Sequence, residues 1–112
     1  MTSPPLPNYL RANRKRLALS QGEVAFLLGT QKGAKVCRYE KFVRVPSLES
    51  ALAYEVIFKW SVSELFPGLY QQAEREVAAR AKALVEKTGR GKLNQRAARK
   101  REALADLASL IS

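Results

Sequence analysis

The sequence predicts an all-α protein: a compact set of short helices over residues 1–69, then a C-terminal helical hairpin over residues 70–112. Three observations predict it. Helix-opening signals recur: Ser20-Gln21-Gly22-Glu23 and Ser61-Val62-Ser63-Glu64 each place a serine three residues before a glutamate. In that arrangement the hydroxyl and the carboxylate can satisfy each other's free amides. Apolar residues recur at intervals of three and four, the period of a helix face. No window alternates with period two between turn residues, so no strand is expected.

The elements follow in order. Residues 1–7 hold three of the five prolines and read as an extended arm. A basic helix is expected from Asn8, its N-cap, to about Leu19, with Leu10 and Leu17 on one side and Arg14 between them. A charge within an apolar stripe usually needs a partner. Ser20 opens a second helix with Val24, Ala25 and Leu28 inward, which Gly29 closes as a left-handed cap. Lys35 to Lys41 reads as a third helix with Val36 and Tyr39 inward. Pro46 blocks its continuation, and Ser47 opens a fourth, whose Leu48, Leu52, Val56 and Ile57 follow helical spacing. Val36, Tyr39, Leu48 and Leu52 are expected in the core. Ser61 opens a fifth helix before Leu65 and Phe66. Beyond it, Tyr70, Ala73, Val77, Ala81 and Leu84 form a heptad-like stripe. Thr88-Gly89-Arg90-Gly91-Lys92 breaks it, and a second stripe runs through Ala97, Leu104, Leu107 or Ala108, and Ile111.

Composition narrows the function. The 112 residues carry 20 Lys and Arg against 10 Asp and Glu, a formal charge of +10. Residues 1–69 and 70–112 each hold ten basic and five acidic residues, so each half is +5. Such an excess points to a polyanionic partner. The chain has no histidine and one cysteine, Cys37. That excludes a histidine base, a Ser-His-Asp triad, an intrachain disulfide and a cysteine–histidine zinc site, and it fits a reducing, cytoplasmic setting. No apolar run approaches the length of a membrane helix, and the N-terminus lacks a secretion signal. No nucleotide loop, cofactor motif or paired-acid constellation appears, so neither an enzyme nor a cofactor is expected.

Residues 19–29, Leu-Ser-Gln-Gly-Glu-Val-Ala-Phe-Leu-Leu-Gly, come before Val-Cys-Arg-Tyr-Glu at 36–40 and Pro-Ser-Leu-Glu at 46–49. Ser-Val-Ser-Glu-Leu-Phe follows at 61–66. In this order they resemble the phage-repressor-like helix-turn-helix regulators of the Cro or XRE family, over about residues 9 to 66. The resemblance implies a five-helix bundle that binds double-stranded DNA. The second helix would lie across the backbone with Gln21 at a phosphate. The third would enter the major groove with positions near Gln31, Lys32, Gly33, Ala34, Lys35 and Arg38 facing the bases. Arg38 can give two parallel donors to a guanine edge, and Lys35 or Arg44 can hold phosphate. The family also implies an ion pair between Arg14 and Glu40.

Two departures from the family stand out. Gly29 to Glu40 spans eleven steps where the family usually has ten, so one residue is inserted near Gln31 to Gly33. Phe42 stands where a glycine is usual after the third helix. The function this implies is a sequence-specific transcriptional regulator acting by operator occupancy, as a homodimer. Val77, Ala81, Leu84, Leu104 and Leu107 are the expected dimer contacts. The alternative is an antitoxin-like or accessory module that holds a protein partner, with DNA binding secondary. Phe26 and Leu27 favour it, because those positions are commonly polar in the family.

Overall fold

A computed structural model of the chain describes residues 7–30, 32–88 and 94–111, with the backbone alone at Thr88 and Ile111. Most of the proline-rich arm, Gln31, the Gly89–Lys92 loop and the stripe position at Ile111 lie outside the described side chains. The described residues are all-helical: α1 (Leu10–Arg16), α2 (Gln21–Leu28), α3 (Gly33–Glu40), α4 (Leu48–Phe58), α5 (Val62–Leu65), α6 (Pro67–Thr88) and α7 (Gln95–Ala108), then a 3-10 turn, Ser109–Ile111. The chain forms two compact units, Met1–Leu69 and Tyr70–Ser112. No helix among the described residues is long and apolar enough to cross a membrane.

Caps set the helix boundaries. Ser20 Oγ accepts from the Glu23 amide at 3.0 Å while Glu23 Oε1 accepts from the Ser20 amide at 2.8 Å. Ser61 and Glu64 repeat the exchange at 3.2 Å each way. Both carboxylates lie below the usual range. Glu23 is lowered first by the Ser20 amide and then by its hydroxyl, Glu64 first by the Ser61 hydroxyl and then by its amide. Ser47 Oγ accepts from the Ser50 amide at 3.2 Å. Gly29 ends α2 at φ 82°.

Two helices differ in extent from the sequence expectation. The first is shorter, because Ala18 turns left-handed at φ 59° and reverses the chain. Its N-cap is Tyr9, which makes no side-chain bond. Asn8 instead accepts from the Leu10 amide at 3.0 Å and donates to the Tyr39 carbonyl at 3.0 Å, tying α1 to α3. The third helix starts two residues earlier than Lys35.

The first unit buries Leu10, Val24, Ala25, Val36, Tyr39, Ala51, Tyr54, Phe58, Leu65 and Phe66 around one core. Tyr54 stacks on Phe58 with ring centroids 5.6 Å apart and meets Tyr39 edge-on at 6.2 Å. The core corrects three expectations. Leu17 is exposed, because the chain has already left α1 there, and Asn13 is buried in its place. Leu48 and Leu52 are 73% and 48% exposed rather than core. The aromatic residues of α4 lie on another side of the helix, and burying Ala51, Tyr54 and Phe58 removes more apolar surface than burying the leucines would.

In the second unit, Ala78 and Ala81 are buried and Glu74 and Val85 half-buried, a stripe at spacings of four, three and four. On α7 the half-buried residues are Ala97, Arg101, Leu104 and Ala108, with the same spacings. Tyr70, Val77 and Leu84, expected in the inward stripe, are exposed. The stripe is therefore rotated by about one residue, which turns the small alanines inward and leaves the large side chains out. Within this unit, α6 and α7 share a shallow groove lined by Lys82, Val85, Glu86, Ala105, Ala108 and Ser109.

Candidate nucleic-acid interface

Helix α3 has two opposite faces. Val36, Tyr39 and Glu40 are buried on one; Ala34, Arg38 and, just past the helix end, Lys41 are exposed on the other. Gly33 belongs to neither. A Cβ there would stand 3.5 Å from the Gly22 amide nitrogen and 3.6 Å from the Gly22 Cα. The first turn of α3 thus rests on the first turn of α2, and Gly33 faces α2 rather than a groove, contrary to the sequence expectation.

The charge of this stretch has a simple period. Lys32, Lys35, Arg38, Lys41 and Arg44 recur every third residue. Lys35 is half-buried and the other four are exposed. Among the described residues none of the five is in an ion pair. The one acid between them, Glu40, is committed elsewhere: Arg14 Nε donates to its Oε2 at 2.6 Å and a second guanidinium nitrogen to Oε1 at 3.2 Å. The structure thus brings Arg14 and Glu40 together as a fork-to-fork pair, with side chains 13% and 3% exposed. Arg14 also donates to the Leu19 carbonyl at 3.0 Å. The Glu40 hydrogen bond raises the Arg14 guanidinium above its ordinary value, against the desolvation that lowers it. With Glu40 paired on the inside, the charged residues on the outer face of α3 are all cations.

Gln21 sits at the first position of α2, half-buried, and its Nε2 donates to Glu40 Oε1 at 3.2 Å. Its side chain is turned toward the ion pair, so what it offers outward is the helix N-terminus. Lys32 is the N-cap of α3 and makes no side-chain cap. The amide of Arg44 donates to the Arg38 carbonyl at 3.4 Å, folding the turn back on the end of α3. Phe42 makes that turn at φ 65°, in the left-handed region that favours glycine. Gln31 lies outside the described residues.

A polar network was missed in the sequence. Asn13, buried, donates to the Tyr9 carbonyl at 3.0 Å and accepts twice from Arg16, at 3.2 and 2.9 Å. Arg16 also donates to the Phe58 carbonyl at 3.2 Å, fastening α1 to the end of α4. The signal was an Asn and an Arg three residues apart on a helix otherwise poor in apolar residues. Beside the Arg14–Glu40 pair, the Tyr54 hydroxyl is buried with no hydrogen-bond partner among the described residues. Burial pushes this phenol well above its ordinary value; Glu40 and Tyr39 add to the shift and Arg14 opposes it.

The expected dimer residues differ in exposure. Val77, Leu84 and Leu107 are 41%, 41% and 38% exposed, and Leu104 is half-buried. Ala81 is 4% exposed within a single chain, so a second copy cannot reach it. Phe26 and Leu27 are exposed on α2, and with Leu19 and Glu23 they line a shallow depression.

Comparison with family models, curated proteins and solved structures finds no match to this chain.

Proposed function

We propose that the first unit is a phage-repressor-like helix-turn-helix module, and that the protein is a sequence-specific DNA-binding regulator of transcription rather than an enzyme. The observation that carries this is the unpaired row Lys32, Lys35, Arg38, Lys41 and Arg44 on the outer side of α3 and its exit turn. Five cations in no ion pair among the described residues, clustered along α3 and its exit turn, suit a run of phosphates better than a single small anion. The arrangement of α2 on α3 supports the same reading: a tight left-handed corner at Gly29 and first turns in close approach at Gly22 and Gly33. Arg38, exposed in the last turn of α3, is the base reader, with Ala34 one turn before it for a thymine methyl. Lys32, Lys35 and Arg44 hold backbone phosphates, and the N-terminus of α2 at Gln21 takes another. The mechanism is occupancy of an operator in the cytoplasm by two copies, because one module this small covers too few base pairs for useful specificity.

Selection of bound duplexes from random DNA, with the mass of the complex measured, tests this. An inverted repeat is the expected result, with Lys35→Ala or Arg44→Ala flattening the salt dependence by about one unit per lost phosphate contact. Enrichment of no sequence would remove the reading. The exposed Phe26, at 82%, favours the second reading, a module that holds a protein partner on α2. Under that reading Phe26→Ser would abolish partner binding and leave DNA affinity unchanged.

A further inference from the structure

The charges of α7 are sorted by sign along its length. Its first half carries Arg96, Arg99, Lys100 and Arg101 and no acid. Its second half carries Glu102 and Asp106 and no cation. Helix stability does not call for this order. Arg96 stands in the first turn and Asp106 in the last, each at the end of the helix dipole that disfavours its sign. Arg96 also has like-charged neighbours three and four residues on, at Arg99 and Lys100, where opposite charges would stabilise. Helix α6 is built the other way. Its Arg75, Arg80 and Lys82 are interleaved with Glu74, Glu76 and Glu86, and Arg80 lies 3.9 Å from Glu76. On α7, Arg96, Arg99 and Lys100 are exposed and, among the described residues, in no ion pair. They fall within about 100° of the helix circumference and about 6 Å of its length. The half-buried Ala97, Leu104 and Ala108 lie on another side.

We propose that this patch is a second nucleic-acid contact, one that holds the phosphate backbone of duplex DNA without regard to sequence. Phosphates laid on it offset both the like-charge repulsion and the adverse dipole, which water alone leaves in place. Two of the three exposed cations are arginines, whose planar forks take phosphate oxygens two at a time. Duplex DNA carries one charge per about 1.7 Å of its axis, dense enough to engage all three together. The rest of the second unit selects a duplex over other polyanions. It has no aromatic residue after Tyr70. It therefore offers no ring on which unpaired bases could stack, and no Trp or Phe to enter a lipid surface. The chain then has two contacts of different kinds: α3 reads bases, and α7 reads only charge.

The inference rests on the DNA-binding reading for the identity of the polyanion, but its test uses duplexes of mixed sequence and so stands apart from base selection. Binding of the full chain to such a duplex is measured across a salt series. Arg96→Gln, Arg99→Gln and Lys100→Gln together should flatten the salt dependence by about two to three units. The same triple variant should weaken a selected operator and a mixed duplex by the same factor, with base preference and helix content unchanged. Arg75→Gln, Arg80→Gln and Lys82→Gln remove equal charge from α6 and should flatten the slope by less than about one unit. Equal losses in the two triple variants would reduce the patch to net charge and overturn the proposal. An unchanged slope in the α7 variant, with an operator still selected, would overturn it and leave the reading of α3 intact. A flattened slope with no sequence enriched would remove the reading of α3 alone. Tighter binding to phosphatidylserine vesicles or to polyglutamate than to the duplex at the same salt, lost in the α7 variant, would overturn the proposal by giving the patch to lipid or to an acidic protein.

Discussion

The two units obey the same helical period and fill their interiors differently. The first buries four aromatic rings, Tyr39, Tyr54, Phe58 and Phe66, together with Leu10, Val24, Val36 and Leu65. Among its described residues the second buries only Ala78 and Ala81. Each fully buried large side chain contributes about 1.5–3 kcal/mol, and an alanine far less. Periodicity therefore shows where helices are but not how much they hold. The first unit has the core of a self-standing domain, and the second has a seam.

The widest expected contrast is in stability. Phe58→Ala should cost the first unit about 3–5 kcal/mol, while Val77→Ala on the second should change stability by no more than about 0.5 kcal/mol. Chemical denaturation followed by Trp60 fluorescence reads the first, and far-ultraviolet circular dichroism reads both. Equal losses would remove the distinction between core and seam.

Next is the Arg14–Glu40 pair, which has no buried counterpart among the described residues of the second unit, where Arg80 and Glu76 stand 3.9 Å apart in solvent. Arg14→Met leaves Glu40 buried without its cation and should cost about 3 kcal/mol. The loss falls at the low end because Gln21 still donates to Glu40. The Arg14→Met, Glu40→Met double variant should recover part of it in a denaturant titration, whereas simple additivity would mean the pair is not coupled.

Binding separates the units too. Arg38→Ala should cost about 1–3 kcal/mol at one operator position and relax base preference there. Arg99→Ala, next to Arg96, Lys100 and Arg101 on α7, should affect all sequences alike or none. Competition binding against operator and random duplexes checks both, and a uniform loss for Arg38→Ala would make it a phosphate contact.

A smaller effect concerns the orphaned hydroxyl in the first core. Tyr54→Phe removes a buried donor without a partner and should raise stability by up to about 1 kcal/mol, read as a shift in midpoint at constant slope. A loss of stability would show that the hydroxyl has a partner in solution.

The smallest is the response to acid. Glu23 and Glu64 have folded-state values below the ordinary 4.5. Their stabilisation is therefore complete above that value and is lost as pH falls through the lowered ones. Glu23→Gln with Glu64→Gln should flatten the decline in stability below about pH 4.5 and change little at neutral pH. An unchanged acid limb would leave the caps with no electrostatic part.

Much of the backbone plan was legible in the sequence, because it was written in local signals. Ser20, Ser47, Ser61 and Gly29 act on amides and carbonyls within a few residues, so their roles need no tertiary information. The faces of the helices were less legible. On α4 the apolar residues encircle the helix, and spacing alone favours Leu48, Leu52 and Val56 as readily as Ala51, Tyr54 and Phe58. Packing decided for the rings. On α6 the alanines and the large residues lie one step apart, and close approach selected the alanines. Among the candidate site residues, the cationic period of α3 is visible in the letters themselves. What cancels Glu40 carries no local signal, since it comes from Arg14, 26 residues earlier, and only the resemblance implied it. Gln21 could be placed at its helix terminus but not aimed, because its amide answers to that same distant carboxylate.

Three non-glycine residues, Ala18, Phe42 and Lys59, turn left-handed where α1, α3 and α4 end. Each such corner costs about 1 kcal/mol against glycine. The first unit thus carries a thermal margin it does not use. In a domain of this size 1 kcal/mol corresponds to roughly 4–8 °C of melting temperature. Ala18 brings little packing to offset its corner, whereas Phe42 lines a small hollow with Val45, Pro46 and Phe66. Heat tolerance in such a chain can therefore be adjusted at its corners, one residue at a time, without altering a single side chain on the outer face of α3.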